Sequence, residues 1–196
     1  MNILNIRSSA TGAASVSNQL ADRFLAKFPD AQVTIRDVGA EPLPHLTAET
    51  VGAIRGAAET EAEKQTQALS DQLVGELQAA DLIVIGSPMY NFGMSSTLKA
   101  WFDHVLRAGI TFRYTEAGPE GLLTGKKVIV IQSRAGLYSE GPAAGMDGQE
   151  PHLRTLLGFV GITDVSFVRA EKLAFGPDAA QAAIAEAGET LERLAA

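Results

Sequence analysis

The sequence predicts an α/β fold, a three-layer sandwich in which helices cover both faces of a five-stranded parallel sheet of order 2-1-3-4-5. Three observations carry this expectation. Short, near-continuous apolar runs such as Leu82-Ile83-Val84-Ile85 alternate with stretches of helical period, the pattern of strands buried on both faces with helices packed over them. The runs open into loops of Ser, Gly, Asn and Pro, as strand ends do where a ligand sits beyond the sheet. Five such runs fit in 196 residues, a length suited to one domain and short for two. Residues 1–196 are therefore expected to fold as a single unit.

Ile3, Leu4 and Ile6 form the first strand, which ends at Arg7-Ser8-Ser9. Leu20, Phe24, Leu25 and Phe28 then recur at helical spacing, with Ser15 or Ser17 as the cap and Pro29 just beyond. Val33, Ile35 and Val38 mark a second strand, and a Pro-rich link from Glu41 to Pro44 leads into a weaker helical segment. From about Glu61 to Ala79, Leu69, Leu73 and Leu77 line one face of an amphipathic helix. Leu82 to Ile85 is the central strand, and Gly86 to Gly93 feeds a helix carrying Leu98, Trp101, Phe102, Val105 and Leu106. Val128 to Ile131 is the fourth strand, Leu153 to Val160 a helix, and Val165 to Val168 the fifth strand. Ile184, Ala187, Leu191 and Leu194 share one face of a last helix. The segment from Gly109 to Gly125 is surplus to five strands. Its alternating Ile110, Phe112 and Tyr114 before Ala-Gly-Pro predict an inserted arm or hairpin before the fourth strand, expected to lie near the ligand rim.

Composition narrows the chemistry. The chain is 46% hydrophobic and 20% charged, with a net charge of −7 and a pI near 5.0, which opposes binding to nucleic acid, where clustered Lys and Arg must displace counterions. With no cysteine, disulfides and thiolate metal sites are excluded, and any redox function must come from a bound cofactor. No basic leader precedes the first strand and no apolar run approaches the thickness of a bilayer. A cytoplasmic protein without a membrane partner is the expectation. His45, His104 and His152 show no metal-ligand spacing and are read as structural, so no metal is expected.

Three loops are the places for chemistry. The first, Ser8-Ser9-Ala10-Thr11-Gly12-Ala13-Ala14-Ser15-Val16-Ser17, joins a strand to a helix and combines small residues with hydroxyls. That composition suits a phosphate held by helix N-terminal N–H groups, and equally a capped turn. It has no lysine and matches neither the P-loop nor G-x-G-x-x-G, so a single terminal monophosphate fits better than a transferable triphosphate. The second, Ser87-Pro88-Met89-Tyr90-Asn91-Phe92-Gly93-Met94, is apolar and aromatic with one amide, the mixture a planar heteroaromatic ring needs; core or interface packing of Met89, Tyr90 and Phe92 is the other reading. The third, Ser133-Arg134-Ala135-Gly136, reaches the same ring from the opposite edge, where its N–H groups can stabilise negative charge.

Taken in order with Leu98-Lys99-Ala100-Trp101-Phe102-Asp103, Arg107-Ala108-Gly109-Ile110-Thr111-Phe112-Arg113-Tyr114, Gly118-Pro119-Glu120-Gly121-Leu122, Gly125-Lys126-Lys127 and Leu157-Gly158-Phe159-Val160-Gly161, these loops resemble the FMN-dependent NADH azoreductase and NADH:quinone oxidoreductase family over nearly the whole chain. The resemblance implies a flavodoxin-like homodimer that binds FMN. Hydride passes from NADH or NADPH to the flavin, and then to a quinone, azo or nitroaromatic acceptor. Carried over by position, Ser9, Ser15, Val16 and Ser17 hold the phosphate and ribityl chain, Met89, Tyr90, Asn91 and Phe92 one face and edge of the ring, and Ser133, Arg134, Ala135 and Gly136 the other edge. No side chain is required as acid or base, because the cofactor carries the redox chemistry.

Two departures from the family pattern bear on the site. Ala135 stands where a second glycine is common, which strains the loop if that position needs a positive φ, and Met94-Ser95 replaces a frequent Ile-Pro. Phe112 and Tyr114 on the arm, and Arg55, are candidate substrate contacts, with Phe112 and Tyr114 serving this copy or its partner. Arg113 is a further candidate for an anionic substrate. Trp101 is read as packing. Two other classes share the fold: a flavodoxin-type electron carrier, which has no need of an aromatic arm, and a receiver module, which would need acidic residues where Arg7-Ser8-Ser9 stands.

Overall fold

The computed structural model describes residues 1–196. Five strands, β1 (Asn2–Arg7), β2 (Gln32–Asp37), β3 (Leu82–Pro88), β6 (Lys127–Ser133) and β7 (Asp164–Ala170), form one parallel sheet in the order β2-β1-β3-β6-β7. This is the expected 2-1-3-4-5 order, the numbering displaced by a separate antiparallel hairpin, β4 (Phe112–Thr115) and β5 (Gly118–Gly121). Every residue of β3 is buried, as a central strand of a doubly covered sheet must be.

Five helices cover the sheet: α1 (Val16–Leu25), α2 (Glu61–Ala79), α3 (Ser96–Val105), α4 (Glu150–Phe159) and α5 (Pro177–Ala195). Side chains of a strand alternate between faces, and the core divides accordingly. Val128 and Val130 of β6 join Ile83, Ile85, Leu73, Trp101, Phe102 and Leu157 on one side. Ile129 and Ile131 join Val84, Leu20, Phe24 and Leu191 on the other. Trp101 is 1% exposed, a core residue.

Helix starts follow their local chemistry. Ser15 caps α1, its Oγ accepting from Asn18 N at 3.3 Å. Thr60 and Glu63 form a reciprocal capping box at α2, the arrangement that satisfies two otherwise orphaned N–H groups. Ser95 caps α3 by accepting from Leu98 N at 3.2 Å. The weaker helix expected after Pro44 is a single 3-10 turn, Val51–Ile54. Gly52 and Gly56 fall within and just beyond that turn, and glycine's backbone freedom works against a longer helix.

The hairpin does not lie at the ligand rim of its own chain, and the expectation of an arm beside that rim is corrected. The N-terminus of α4 sits at the rim, where Gln149 donates to the carbonyl of Ser87 at 2.8 Å, and its far end turns into β7. The hairpin base docks on that far end: Phe112 stacks on Phe159 with centroids 4.6 Å apart, and Leu123 N donates to Val160 O at 2.8 Å. Gly121 and Gly161 meet backbone to backbone there, so a Cβ on Gly121 would overlap Gly161. The surplus segment was legible because five strands did not need it. Its docking was not, because a glycine-to-glycine contact leaves no pattern in sequence.

Candidate active site

At the carboxyl end of β1 the first loop is packed tightly under its own strand. Ser8 donates its hydroxyl to Gly86 O at 2.8 Å, and the loop backbone lies against Gly39, where a Cβ would overlap the carbonyl of Ser9. Ser9, Ser15 and Ser17 are all buried, with the Ser15 and Ser17 hydroxyls 3.1 Å apart. Gln19 Nε2 holds Ala13 O at 2.9 Å and Asn18 Nδ2 holds Gly12 O. The carbonyls of Gly12 and Ala13 are thus engaged by side chains of α1, and Val16 and Ser17 occupy the first helical positions, whose N–H groups have no intrahelical acceptor. Asn18 Oδ1 is buried without a hydrogen-bond partner. Uncharged donors at the positive end of a helix suit a single phosphate monoester.

The second loop is a two-residue turn. Tyr90 and Gly93 exchange hydrogen bonds of 2.9 and 3.0 Å, and both central residues are left-handed, Asn91 at φ 46 and Phe92 at φ 70. Asn tolerates that region, whereas for a ring-bearing residue it is a strained exception of the kind found at ligand sites. The amide of Asn91 is exposed and free of partners, and Phe92 is 43% exposed.

Two hydrogen bonds tie the three loops to one another, and a third ties the second loop to the stretch before α4. Ala10 N donates to the Tyr90 hydroxyl at 3.0 Å, Met89 N to Ser133 O at 2.9 Å, and Gly148 N to Phe92 O at 3.0 Å. Loops separated by up to about half the chain are therefore one assembly, with a hydroxyl-lined end at α1 and an aromatic turn beside it. A flat heteroaromatic ring carrying a phosphate matches that set of groups.

The third loop presents backbone and not side chain. Arg134 is completely buried, with Nε on Gln149 Oε1 and Nη1 on Glu171 Oε1, each at 3.1 Å. The position expected at the ring's edge thus supplies at most its main chain. Ala135 has a negative φ, so its side chain introduces no strain.

Comparison with known proteins matches residues 1–195 to Flavodoxin_2, a flavodoxin-like fold. The chain belongs to this flavodoxin-like family. It is 54% identical over 198 residues to the FMN-dependent NADH:quinone oxidoreductase of Hyphomonas neptunium, covering 99% of this chain and 95% of that one. Identity to the enzyme of the same name from Azotobacter vinelandii is 49% over 199 residues, 98% of each chain. Among solved structures, an azoreductase from Bacillus anthracis strain Sterne superposes with a TM-score of 0.91 at 30% identity, covering 100% of this chain and 98% of that one. An FMN-dependent NADH-azoreductase from the Ames Ancestor strain, solved in complex with FMN, gives 0.88 at 26% identity, covering 100% and 99%.

Within this flavodoxin-like chain the expected substrate residues do not converge on the rim. Phe112 is 8% exposed and belongs to the hairpin base, while Tyr114 is 72% exposed beside it, rings 5.6 Å apart. Arg113 is engaged by Glu120 across the hairpin at 2.7 Å, and Glu120 holds the guanidinium in its charged form. Arg55 is exposed on the turn before α2 and makes no ion pair. Residues that composition did not single out are Gly39, Tyr138, Asp147, Gln149 and Glu171. Tyr138 meets Phe92 edge-on at 6.0 Å. They lie in stretches whose sequence resembles any polar loop, and only contacts across the sheet give them a role.

Proposed function

We infer that this chain is an FMN-dependent oxidoreductase that takes electrons from NADH and delivers them to quinones and azo compounds. The single observation that carries this reading is the hydrogen-bonded union of the three rim loops, which places phosphate-type donors, an aromatic turn and free backbone N–H groups in one assembly. Relatives about half identical over nearly the full chain bear the name FMN-dependent NADH:quinone oxidoreductase, and the solved structures that superpose on it are named azoreductases. Bound FMN would supply two-electron hydride chemistry. The chain supplies everything else: Ser9, Ser15, Val16 and Ser17 would hold the phosphate end, and Met89, Tyr90, Asn91 and Phe92 one face and edge of the ring. Ser133, Ala135 and Gly136 would take the other edge through their main chain.

The residues' part in turnover is to bind, orient and exclude water. With FMN bound, the main-chain N–H groups of the third loop would lie at the ring's polar edge, where such dipoles favour negative charge. The aromatic turn would give the ring a flat apolar neighbour beside which donor and acceptor could be placed in succession. A homodimer belongs to the same reading. The exposed ring of Tyr114 on each hairpin has no partner in its own chain beyond Phe112, and a second copy offers it the open face of the other rim, with its exposed Phe92.

The deciding experiment uses the purified chain, saturated with FMN, gel-filtered and mixed anaerobically with NADH. Retained flavin that bleaches on mixing and recovers its colour with a quinone or azo dye is the expected result. A filtered protein without flavin absorbance would sink the reading, and retained flavin that NADH leaves oxidised would point to an electron carrier.

A further inference from the structure

The charges nearest the third loop are buried and bound to one another. Arg134 Nη1 meets Glu171 at 3.1 Å, and Nη2 lies 2.9 Å from Asp147 Oδ2 as a charge contact without hydrogen-bond alignment. Gln149, the partner of Arg134 Nε, donates to Ser87 at the end of β3. Asp147 Oδ1 accepts from Gln149 N at 2.9 Å and Glu150 N at 3.0 Å. Glu171 in turn accepts from Tyr138 N at 2.9 Å, Ser139 N at 3.1 Å and the Ser139 hydroxyl.

A backbone ladder completes the clasp. Leu173 N donates to Arg134 O, Ala174 N to Ala135 O and Lys172 N to Gly136 O, at 3.2, 3.0 and 2.9 Å. Lys172 adopts φ 62 for this, a left-handed conformation that a lysine enters only under constraint. The direction of the remaining donors follows. All peptide bonds here are trans, so each N–H points opposite to the carbonyl of its own peptide unit. With the carbonyls of Arg134 and Ala135 drawn toward residues 173 and 174, the N–H groups of Ala135 and Gly136 are driven the other way. Neither has an acceptor in the chain.

We propose that Arg134 and Glu171 are positioning residues: their buried pair clamps the third loop so that the N–H groups of Ala135 and Gly136 stay aimed at the polar edge of the bound flavin ring. This rests on the FMN reading above. The clamp acts on the second loop as well, since Tyr138 abuts Phe92 and Gly148 holds its carbonyl. Its consequence is electrostatic. Fixed dipoles favour the reduced, more negative ring over the oxidised one, so loosening the clamp weakens binding of reduced FMN more than of oxidised FMN.

The test is Glu171→Gln in the FMN-loaded protein, which keeps an acceptor for Tyr138 and Ser139 but removes the charge facing Arg134. The readouts are oxidised FMN affinity by fluorescence, the midpoint potential of the bound flavin, and thermal stability. A loss of about tenfold in the preference for reduced over oxidised FMN is expected, the scale of one weakened hydrogen bond to a charged group, which lowers a two-electron potential by about 30 mV. A purely structural clamp would lower stability and leave the potential in place, and that outcome overturns the proposal. If Glu171→Gln does not fold, Ser139→Ala removes one hydroxyl from the same carboxylate and should shift the potential in the same direction by less; a folded Ser139→Ala protein at wild-type potential overturns it equally. Failure of the wild-type chain to retain FMN is a different result, which strikes the function and not the clamp.

Discussion

Gly39 and Phe92 are single residues whose roles come from contacts far along the chain. Gly39 follows β2, yet the space its missing side chain leaves is filled by the backbone of Ser9, and the first loop can lie over β1 only because of it. Gly39→Ala should push that loop outward. Overpacking of this kind costs about 1–3 kcal/mol, and the displaced Ser9 and Ser17 should lose the phosphate specifically. The preference for FMN over riboflavin, measured by flavin fluorescence, is then expected to collapse, and an unchanged preference would remove the first loop from the phosphate site. At this scale the Ser15 cap of α1 was legible, because Ser beside a helix start has few uses. Gly39 and Glu171 were not, since their partners are 30 or more residues away and nothing local distinguishes them.

Among the elements, the helices and central strands follow from pattern. α2 begins at its capping box and carries Leu73 and Leu77 inward, and β3 and β6 carry unbroken apolar runs, Leu82 to Ile85 and Val128 to Ile131, ahead of their buried Ser87 and Gln132. The hairpin is different. Its strands have four residues each, too few to hold themselves in water, so its position depends on the Gly121–Gly161 contact and the Phe112–Phe159 stack. Gly121→Ala should undock the hairpin at a cost of about 1–3 kcal/mol in urea unfolding. If Tyr114 serves a second copy, the same variant shifts the sedimentation profile from dimer toward monomer. A wild-type chain that sediments as a monomer at every concentration while fully active would refute the homodimer.

For the molecule as a whole, the buried charges set an acid limit. Burial alone would raise the Glu171 carboxyl, but the Ser139 hydroxyl, the Tyr138 N–H and Arg134 together hold it below the usual carboxylate range. A carboxyl depressed in the folded state stabilises the fold above its unfolded value of about 4.3, and that contribution is lost as pH falls through the folded value. Thermal unfolding followed between about pH 5 and pH 3 should therefore show a steeper loss for the wild type than for Glu171→Gln; parallel curves would mean that Glu171 does not titrate with folding. By itself the sequence determined the layered architecture, the strand order, the absence of any thiol chemistry, and the three loops that meet at one rim, because each depends on periodicity or composition within a short window. Only the tertiary structure decided that Arg134 is buried among Gln149, Asp147 and Glu171, that the arm docks at the far end of α4, and that the carbonyls of Arg134 and Ala135 bond residues 173 and 174. Those outcomes depend on which distant groups compete for the same carbonyl or carboxylate, and that competition is settled by packing across the sheet.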